Sequence, residues 1–178
     1  FSHVVGMAGV LDTSRFEFHL AEALNISAQN VSSTVLGGHG DDMVALLRHT
    51  TVSGSKLEEI VKKKKITQQK INEIVKRIRT CGAEIITYMG TSAYFSPAAS
   101  TVLMIESYLR DQKKILPCSA YLKGQYGFKN IYAGVPVVLG ANGVEKIIEI
   151  SLKNEEKKEF LKSIKSIQSV LDIAKKLF

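Results

Sequence analysis

The sequence has little cysteine and no long apolar segment, and each lack excludes a class of protein. Cys81 and Cys118 are its two cysteines, which is too few for a disulfide framework. No Cys-x-x-Cys motif or cluster of cysteine and histidine indicates a structural zinc site, so we expect both cysteines to pack in the core. The uncharged run Ile131 to Val144 has 14 residues, whereas a membrane-spanning helix needs about 20. We therefore expect neither a metal nor a membrane as a partner.

The first residues lack both an initiator methionine and a signal segment. Phe1 to Gly6 is apolar and strand-like from its first residue. We therefore expect the chain to be a piece of a longer protein. Because no secretory segment opens it and cysteine is scarce, we expect that protein to be cytoplasmic.

What the sequence does contain is the composition of an ordinary globular domain. The chain has 178 residues, of which 45% are hydrophobic and 23% are charged. These fractions are close to the globular average and exclude wholesale disorder. A chain of this length can bury a core without disulfides or a structural metal, so we expect residues 1–178 to form one domain.

The formal net charge of +7 is concentrated in two segments. Lys56 to Arg79 holds nine basic and three acidic residues, and Lys153 to Phe178 holds seven basic and four acidic residues. Both segments have the apolar spacing of amphipathic helices, which expose their lysines to water. No aromatic interleaving or RNA-binding motif accompanies the charge, so we expect no nucleic-acid partner. A basic, non-catalytic binding or scaffold domain stays as the alternative from another functional class.

Helical and strand-like patterns are mixed along the chain with hairpin-length connections. Helices are predicted at 12–24, 67–88, 97–109 and 154–178. Strands are predicted at 2–8, 31–36, 115–123, 131–140 and, more weakly, 143–150, while 43–47 and 50–52 could form a hairpin. Neither a Gly-x-Gly-x-x-Gly motif nor a P-loop is present. The pattern predicts an α+β fold with a mixed, largely antiparallel sheet and long packed helices.

Two of the predicted helices begin at residues that favour helix starts. Ser14 and Glu17 have the spacing of a capping box near the start of the first helix. Asn154 is a predicted N-cap of the last helix.

Three polar residues have the pattern of an acid–base site. Asp12 and Arg15 lie three apart in a predicted helix, so they share one face. His39 follows a predicted strand within a glycine-dense turn, which exposes the imidazole. A carboxylate paired with a histidine fixes the tautomer and stabilises the imidazolium, and a neighbouring arginine can bind a carboxylate through two hydrogen bonds. Together these residues indicate proton transfer at an oxygen of a carboxylate-bearing substrate.

Each of the three residues also has a structural explanation. Asp12 could be a charge favoured at the N-terminus of a helix, and Arg15 could pair with Asp12 or Glu22. His39 could hydrogen-bond within its own loop. By spacing alone these readings stay open.

The remaining histidines and the acidic residues beside His39 suggest no further site. His3, His19 and His49 have no comparable neighbours in the sequence. Asp41 and Asp42 follow His39, but two adjacent carboxylates and one histidine do not make a facial triad, so we expect no metal.

The three residues lie in two glycine-rich segments: residues 6–16, Gly-Met-Ala-Gly-Val-Leu-Asp-Thr-Ser-Arg-Phe, and residues 36–41, Leu-Gly-Gly-His-Gly-Asp. Both segments resemble signatures of the lactate/malate dehydrogenase superfamily. Residues 94–100 and 106–109 resemble the lactate-dehydrogenase-like malate dehydrogenases, and residues 134–145 extend the similarity toward the end of the chain. The resemblance covers essentially the whole sequence and implies the C-terminal domain fold of this superfamily.

The resemblance implies a role for each matched residue. His39 would be the proton donor and acceptor at the substrate carbonyl or hydroxyl, and Asp12 would hold His39. Arg15 would bind the C1 carboxylate of the substrate.

Ser92, Ala93 and Pro97 would lie near the nicotinamide–substrate end of the pocket. Ala93 stands where lactate dehydrogenases usually carry threonine, which favours malate.

The resemblance also implies what lies outside this sequence. The dinucleotide-binding half of the family, with its Gly-x-Gly-x-x-Gly motif, has no counterpart here. The chain is therefore expected to be the C-terminal catalytic domain of an NAD-dependent malate dehydrogenase that interconverts (S)-malate and oxaloacetate. NAD would be bound mainly by an N-terminal domain, and residues 1–178 alone would be inactive. A lactate dehydrogenase is the runner-up, and the family implies a homo-oligomer, either a dimer or a tetramer.

Overall fold

Five α-helices and eight β-strands form over the residues that the structure, a computed structural model, describes: 1–64 and 66–177. The helices are α1 (Ala8–Leu24), α2 (Leu57–Lys64), α3 (Gln68–Met89), α4 (Phe95–Leu109) and α5 (Asn154–Ala174). The strands are β1 (Val31–Ser32), β2 (Val35–Gly37), β3 (Met43–Ala45), β4 (Thr51–Val52), β5 (Ser55–Lys56), β6 (Lys114–Lys123), β7 (Lys129–Gly140) and β8 (Gly143–Ile147). Every strand pair described is antiparallel. The predicted α+β class is confirmed.

The larger sheet places the end of β2 between two neighbouring strands. Its order is β3-β2-β7-β6, with β8 also paired to β7, and the smaller sheet has the order β1-β4-β5. β6 and β7 form a long hairpin, and β2 joins β7 through the pair Gly37↔Gly134. A Cβ on Gly134 would lie 2.5 Å from the Gly37 oxygen, so this close crossing requires glycine. The segment that follows β2, with His39, therefore starts from a fixed position inside the sheet.

Helix α1 contributes to both hydrophobic cores. Val10 packs in the core of the larger sheet, whereas Phe16 and Leu20 pack in a second core that includes residues of α3. A Cβ on Gly9 would overlap the carbonyl oxygen of Pro117 in β6, so Gly9 allows α1 to approach the sheet closely. This contact sets the position of the next turn of α1.

The start of α1 differs from the sequence prediction. The predicted strand at 2–8 is wrong, because Gly6 makes a single bridge to Ser119 and the helix begins at Ala8. The short apolar run is strand-like, but close packing on β6 favours an earlier helix start.

The predicted capping box at Ser14 and Glu17 is wrong for the same reason. Ser14 lies inside α1, where its Oγ donates to the Val10 carbonyl at 2.9 Å. The Glu17 carboxylate instead accepts from the backbone N–H of Ser33 at 2.9 Å. Glu17 thus anchors the segment that leads into β2.

The predicted hairpin of residues 43–47 with 50–52 is also wrong. β3 pairs with β2, and β4 pairs with β1 and β5. A short 3-10 turn at Leu47–His49 separates the two strands, which join different sheets.

The last helix starts one residue differently from the prediction. Lys153, not Asn154, precedes α5, and its backbone N–H donates to Glu156 Oε2 at 2.7 Å. A glutamate that reaches back to the residue before the helix makes the same contact as in a capping box. The helix ends at Ala174, so the predicted end at Phe178 is wrong, and Phe178 itself lies outside the described residues.

The two cysteines have different environments. Cys118 is fully buried in β6, where burial raises the pKa of its thiol to about 12, so the predicted core role is confirmed. Cys81 is half-buried in α3 and lines a cavity outside both cores, so its predicted core role is wrong. No helix within 1–64 and 66–177 is long and apolar enough to cross a membrane.

Candidate active site

Helix α1 brings Asp12 and Arg15 to one face. Asp12 is fully buried, and the Arg15 side chain is 10% exposed. Arg15 Nη1 lies 3.8 Å from Asp12 Oδ1, the two residues being one turn apart. Because α1 begins at Ala8, Asp12 lies past its first turn and is not an N-terminal helix charge. A buried carboxylate needs charged or hydrogen-bonding partners, and Arg15 supplies one of them.

The turn after β2 brings His39 to the buried carboxylate. Gly37 has a φ of +88°, which favours glycine, and the turn continues into a short 3-10 turn at Gly40–Asp42. His39 Nδ1 lies 2.9 Å from Asp12 Oδ2, and the backbone N–H of Gly40 donates to the same oxygen at 3.4 Å. His39 therefore bonds to α1 rather than within its own loop, with 52% of its side chain exposed.

The charges around His39 favour its protonated form. The hydrogen bond to Asp12 raises the pKa of His39 above its ordinary value. Partial burial and the nearby Arg15 oppose this increase, while the negative charge of Asp12 adds to it. Because Asp12 accepts at Nδ1, the Nε2 atom is the nitrogen available to a bound molecule. The arrangement can give and take a proton at an exposed position.

We expect Asp12→Asn to lower the pKa of His39, measured from the ring Cε1 proton by NMR titration. An amide removes the negative charge that favours the imidazolium.

The same contact makes the stability of the fold depend on pH. The pKa of His39 is higher in the folded protein than the unfolded value of about 6.5, so the contact contributes its full stabilisation at pH values below about 6.5. The stabilisation is lost as pH rises through the folded pKa.

Asp41→Asn is the matched control for this titration. The Asp41 carboxylate is exposed in the same loop and makes no hydrogen bond to the His39 ring. An equal titration midpoint in Asp12→Asn and Asp41→Asn would contradict the assigned cause.

Arg15 lines a cavity that Asp12 and His39 do not reach. The cavity has a volume of about 600 Å³ and lies between α1, α3 and α4. The walls include Phe18, Arg77 and Ser100. An arginine at the edge of such a cavity is placed to meet an anionic group.

Ser92, Ala93 and Pro97 lie between α3 and the first turn of α4. Ser92 is exposed, whereas Ala93 and Pro97 are half-buried. None of the three lines the cavity with Arg15, to which α4 contributes Ser96 and Ser100 instead. Their place near the substrate stays a prediction.

The two glycine-rich segments do not fit the phosphates of a dinucleotide. Gly9 faces Pro117, and Gly37 and Gly38 face Ser163, so protein atoms fill the space that the missing side chains leave. A phosphate cradle needs glycine backbone that is open to the ligand. Neither glycine-rich segment therefore has open backbone for the phosphates of NAD. Within 1–64 and 66–177, no group of three metal-ligating side chains is found.

Residues 9–177 match a family model, lactate/malate dehydrogenase, alpha/beta C-terminal domain. The chain therefore belongs to the lactate/malate dehydrogenase family and corresponds to its C-terminal domain.

Solved dehydrogenases share both the fold and much of the sequence. Malate dehydrogenase of Cryptosporidium parvum is 44% identical, with a TM-score of 0.95 over 97% of this chain and 55% of that chain. Malate dehydrogenase of Salinibacter ruber is 45% identical, with a TM-score of 0.94 over 99% of this chain and 56% of that chain. Lactate dehydrogenase of Eimeria maxima, solved with NADH and oxamate, is 40% identical, with a TM-score of 0.93 over 97% and 54%. The chain thus spans little more than half the length of these proteins.

Proposed function

We propose that this chain is the substrate-binding and proton-transferring domain of an NAD-dependent malate dehydrogenase, which interconverts (S)-malate and oxaloacetate. The observation that carries the proposal is the 2.9 Å contact between His39 Nδ1 and Asp12 Oδ2, with Arg15 on the same helix face. The match to the lactate/malate dehydrogenase family and the similarity to solved malate dehydrogenases support the proposal.

His39 moves the proton. In the oxidation of malate, the neutral ring accepts the hydroxyl proton at Nε2 while Asp12 stabilises the imidazolium that forms. In the reduction of oxaloacetate, the imidazolium returns that proton to the carbonyl oxygen. The raised pKa keeps the donor form populated at a higher pH than an isolated histidine would allow.

Arg15 binds and orients the substrate. Its guanidinium can donate two parallel hydrogen bonds to the C1 carboxylate, which fixes the substrate's reacting carbon beside His39. NAD, when bound, supplies or accepts the hydride. In this proposal, His39, Asp12 and Arg15 act on the substrate rather than on NAD.

The proposal extends to the longer protein. Residues 1–178 would form its C-terminal catalytic domain, preceded by an NAD-binding domain, and the whole protein would be a cytoplasmic homo-oligomer. Large apolar side chains are exposed on α3 and α4, among them Tyr88 at 81% and Phe95 at 72%. Exposed apolar side chains of this size indicate a surface that another domain or subunit covers in the complete protein.

Malate is favoured over lactate by Ala93, which stands where lactate dehydrogenases usually carry threonine. The test is NADH oxidation by the longer protein with oxaloacetate and with pyruvate, side by side. We expect a strong preference for oxaloacetate. A preference for pyruvate would make the enzyme a lactate dehydrogenase with the same roles for His39, Asp12 and Arg15.

Absence of activity with both substrates would overturn the enzymatic proposal and favour the basic scaffold domain. Retention on nucleic acid that falls as salt rises is the measurement for that alternative.

A further inference from the structure

We propose that Ser163 and Ser166 of α5 are positioning residues, which hold the loop of His39 in the geometry that proton transfer requires. The role rests on the proposed function of His39, whereas the contacts themselves do not. Neither serine belongs to the motifs that indicated the site, and both lie more than 120 positions from the loop.

Ser163 holds the loop just before His39. The backbone N–H of Gly38 donates to Ser163 Oγ at 2.7 Å, and Ser163 is 2% exposed. A Cβ on Gly37 would overlap this hydroxyl, and one on Gly38 would lie 3.6 Å from it. Gly37 thus admits the serine, and the serine satisfies a partly buried N–H of Gly38 that would otherwise lose its partner.

Ser166 holds the loop just after His39. Its Oγ donates to Asp42 Oδ2 at 2.6 Å, and the contact is partly buried. Because Ser166 follows Ser163 by three positions, both hydroxyls lie on the same face of α5. The two contacts therefore bracket His39, one on each side.

The helix that carries the serines is itself firmly packed. Phe160 and Ile164 are 2% and 5% exposed and belong to the core of the larger sheet. Two elements hold the loop through side-chain hydrogen bonds: α1 through Asp12 at His39 and Gly40, and α5 through the two serines. Helix α3 also packs against the turn Gly40–Asp42. Without α5, the loop would keep its hydrogen bonds to the Asp12 carboxylate but lose both serine contacts, and the imidazole is half exposed.

The experiment compares Ser163→Ala, Ser166→Ala and the double variant in the longer protein that contains this chain. The matched control is Ser169→Ala, which removes an exposed hydroxyl of α5 that bonds within the helix to the Ser166 carbonyl. Two readouts are used: the NMR titration of His39, and kcat and KM with oxaloacetate. Ser166→Thr, which keeps a hydroxyl, tests rescue.

We expect the serine variants to lower the pKa of His39 toward its ordinary value, because a displaced ring loses contact with Asp12. We expect kcat to fall by up to about 10²-fold, the cost of a misplacement of about 1 Å, with a smaller change in KM. Ser169→Ala should leave both readouts unchanged, and Ser166→Thr should restore them. The charged groups near the loop are unaltered in every variant: Asp12, Arg15, Asp41, Asp42, Arg79 and Glu159.

If the double variant folds and its His39 pKa and kcat both equal those of the unaltered protein, the inference is overturned. If Ser163→Ala does not fold, the half-buried Ser166 still provides the test. If the unaltered protein acts on neither oxaloacetate nor pyruvate, the proposed function fails. The titration then still decides whether α5 holds the His39 ring.

Discussion

Turnover falls by about 10²- to 10⁴-fold when His39 is replaced with asparagine in the longer protein, while the affinity for NADH changes little. Asparagine is close in size and can keep a hydrogen bond to Asp12, but it cannot carry the proton that the substrate oxygen gains or loses. Steady-state kinetics with oxaloacetate measure kcat, and NADH fluorescence titration measures cofactor binding.

His3→Asn is the control for this loss. His3 is exposed, and its described hydrogen bond is to Ser2, so the same chemical change there should leave kcat unaltered. Equal turnover in His39→Asn and His3→Asn would remove His39 from the mechanism.

Arg15→Lys raises the KM for oxaloacetate by about 10- to 100-fold. An ammonium cannot form two parallel hydrogen bonds with a carboxylate, and hydrogen bonds to charged groups contribute about 1.5–3 kcal/mol. Because about 1.4 kcal/mol corresponds to a tenfold change in a binding constant, the loss of this energy corresponds to the stated change in KM. Initial rates at varied oxaloacetate and saturating NADH give KM and kcat separately.

Arg77→Lys is the matched variant at the same cavity. Arg77 also lines it, but its guanidinium is exposed and pairs with Glu84 at 3.1 Å. We expect its KM to stay close to that of the unaltered protein. An unaltered KM in Arg15→Lys would show that Arg15 does not bind the substrate carboxylate.

The elements with long, regular patterns were predicted well. The predicted helix 67–88 corresponds to Gln68–Met89, and the predicted strands 115–123 and 131–140 correspond to Lys114–Lys123 and Lys129–Gly140. Their apolar residues recur over many positions, so a single exception does not obscure the period.

Short elements and helix starts were predicted less well, because tertiary contacts decide them. Strands β4 and β5 have two residues each, too few for a period to show. Helix α2 ends in lysines and was not predicted as a helix, although its apolar residues Leu57, Ile60 and Val61 pack against the second core. The start of α1 depends on the approach of Gly9 to Pro117, which no local pattern reveals.

The candidate site shows the same division. The pairing of Asp12, Arg15 and His39 was predictable because two short motifs contain all three residues, and the structure brings them together. Ser163 and Ser166 carry no signal in the sequence, since serine on an amphipathic helix is ordinary. Only the packing of α5 beside β2 and β3 makes them partners of the loop.

The contact between Gly38 and Ser163 joins residues 125 positions apart, and this separation has a consequence for biosynthesis. A ribosome makes the motifs of Asp12 and His39 well before α5, and contacts of such long range form only after a large loop has closed. A nascent chain that still lacks α5 contains every motif residue, yet its His39 loop lacks the contacts to Ser163 and Ser166. The site is therefore complete only after α5 has been made, so products that end before α5 carry the motifs without these contacts.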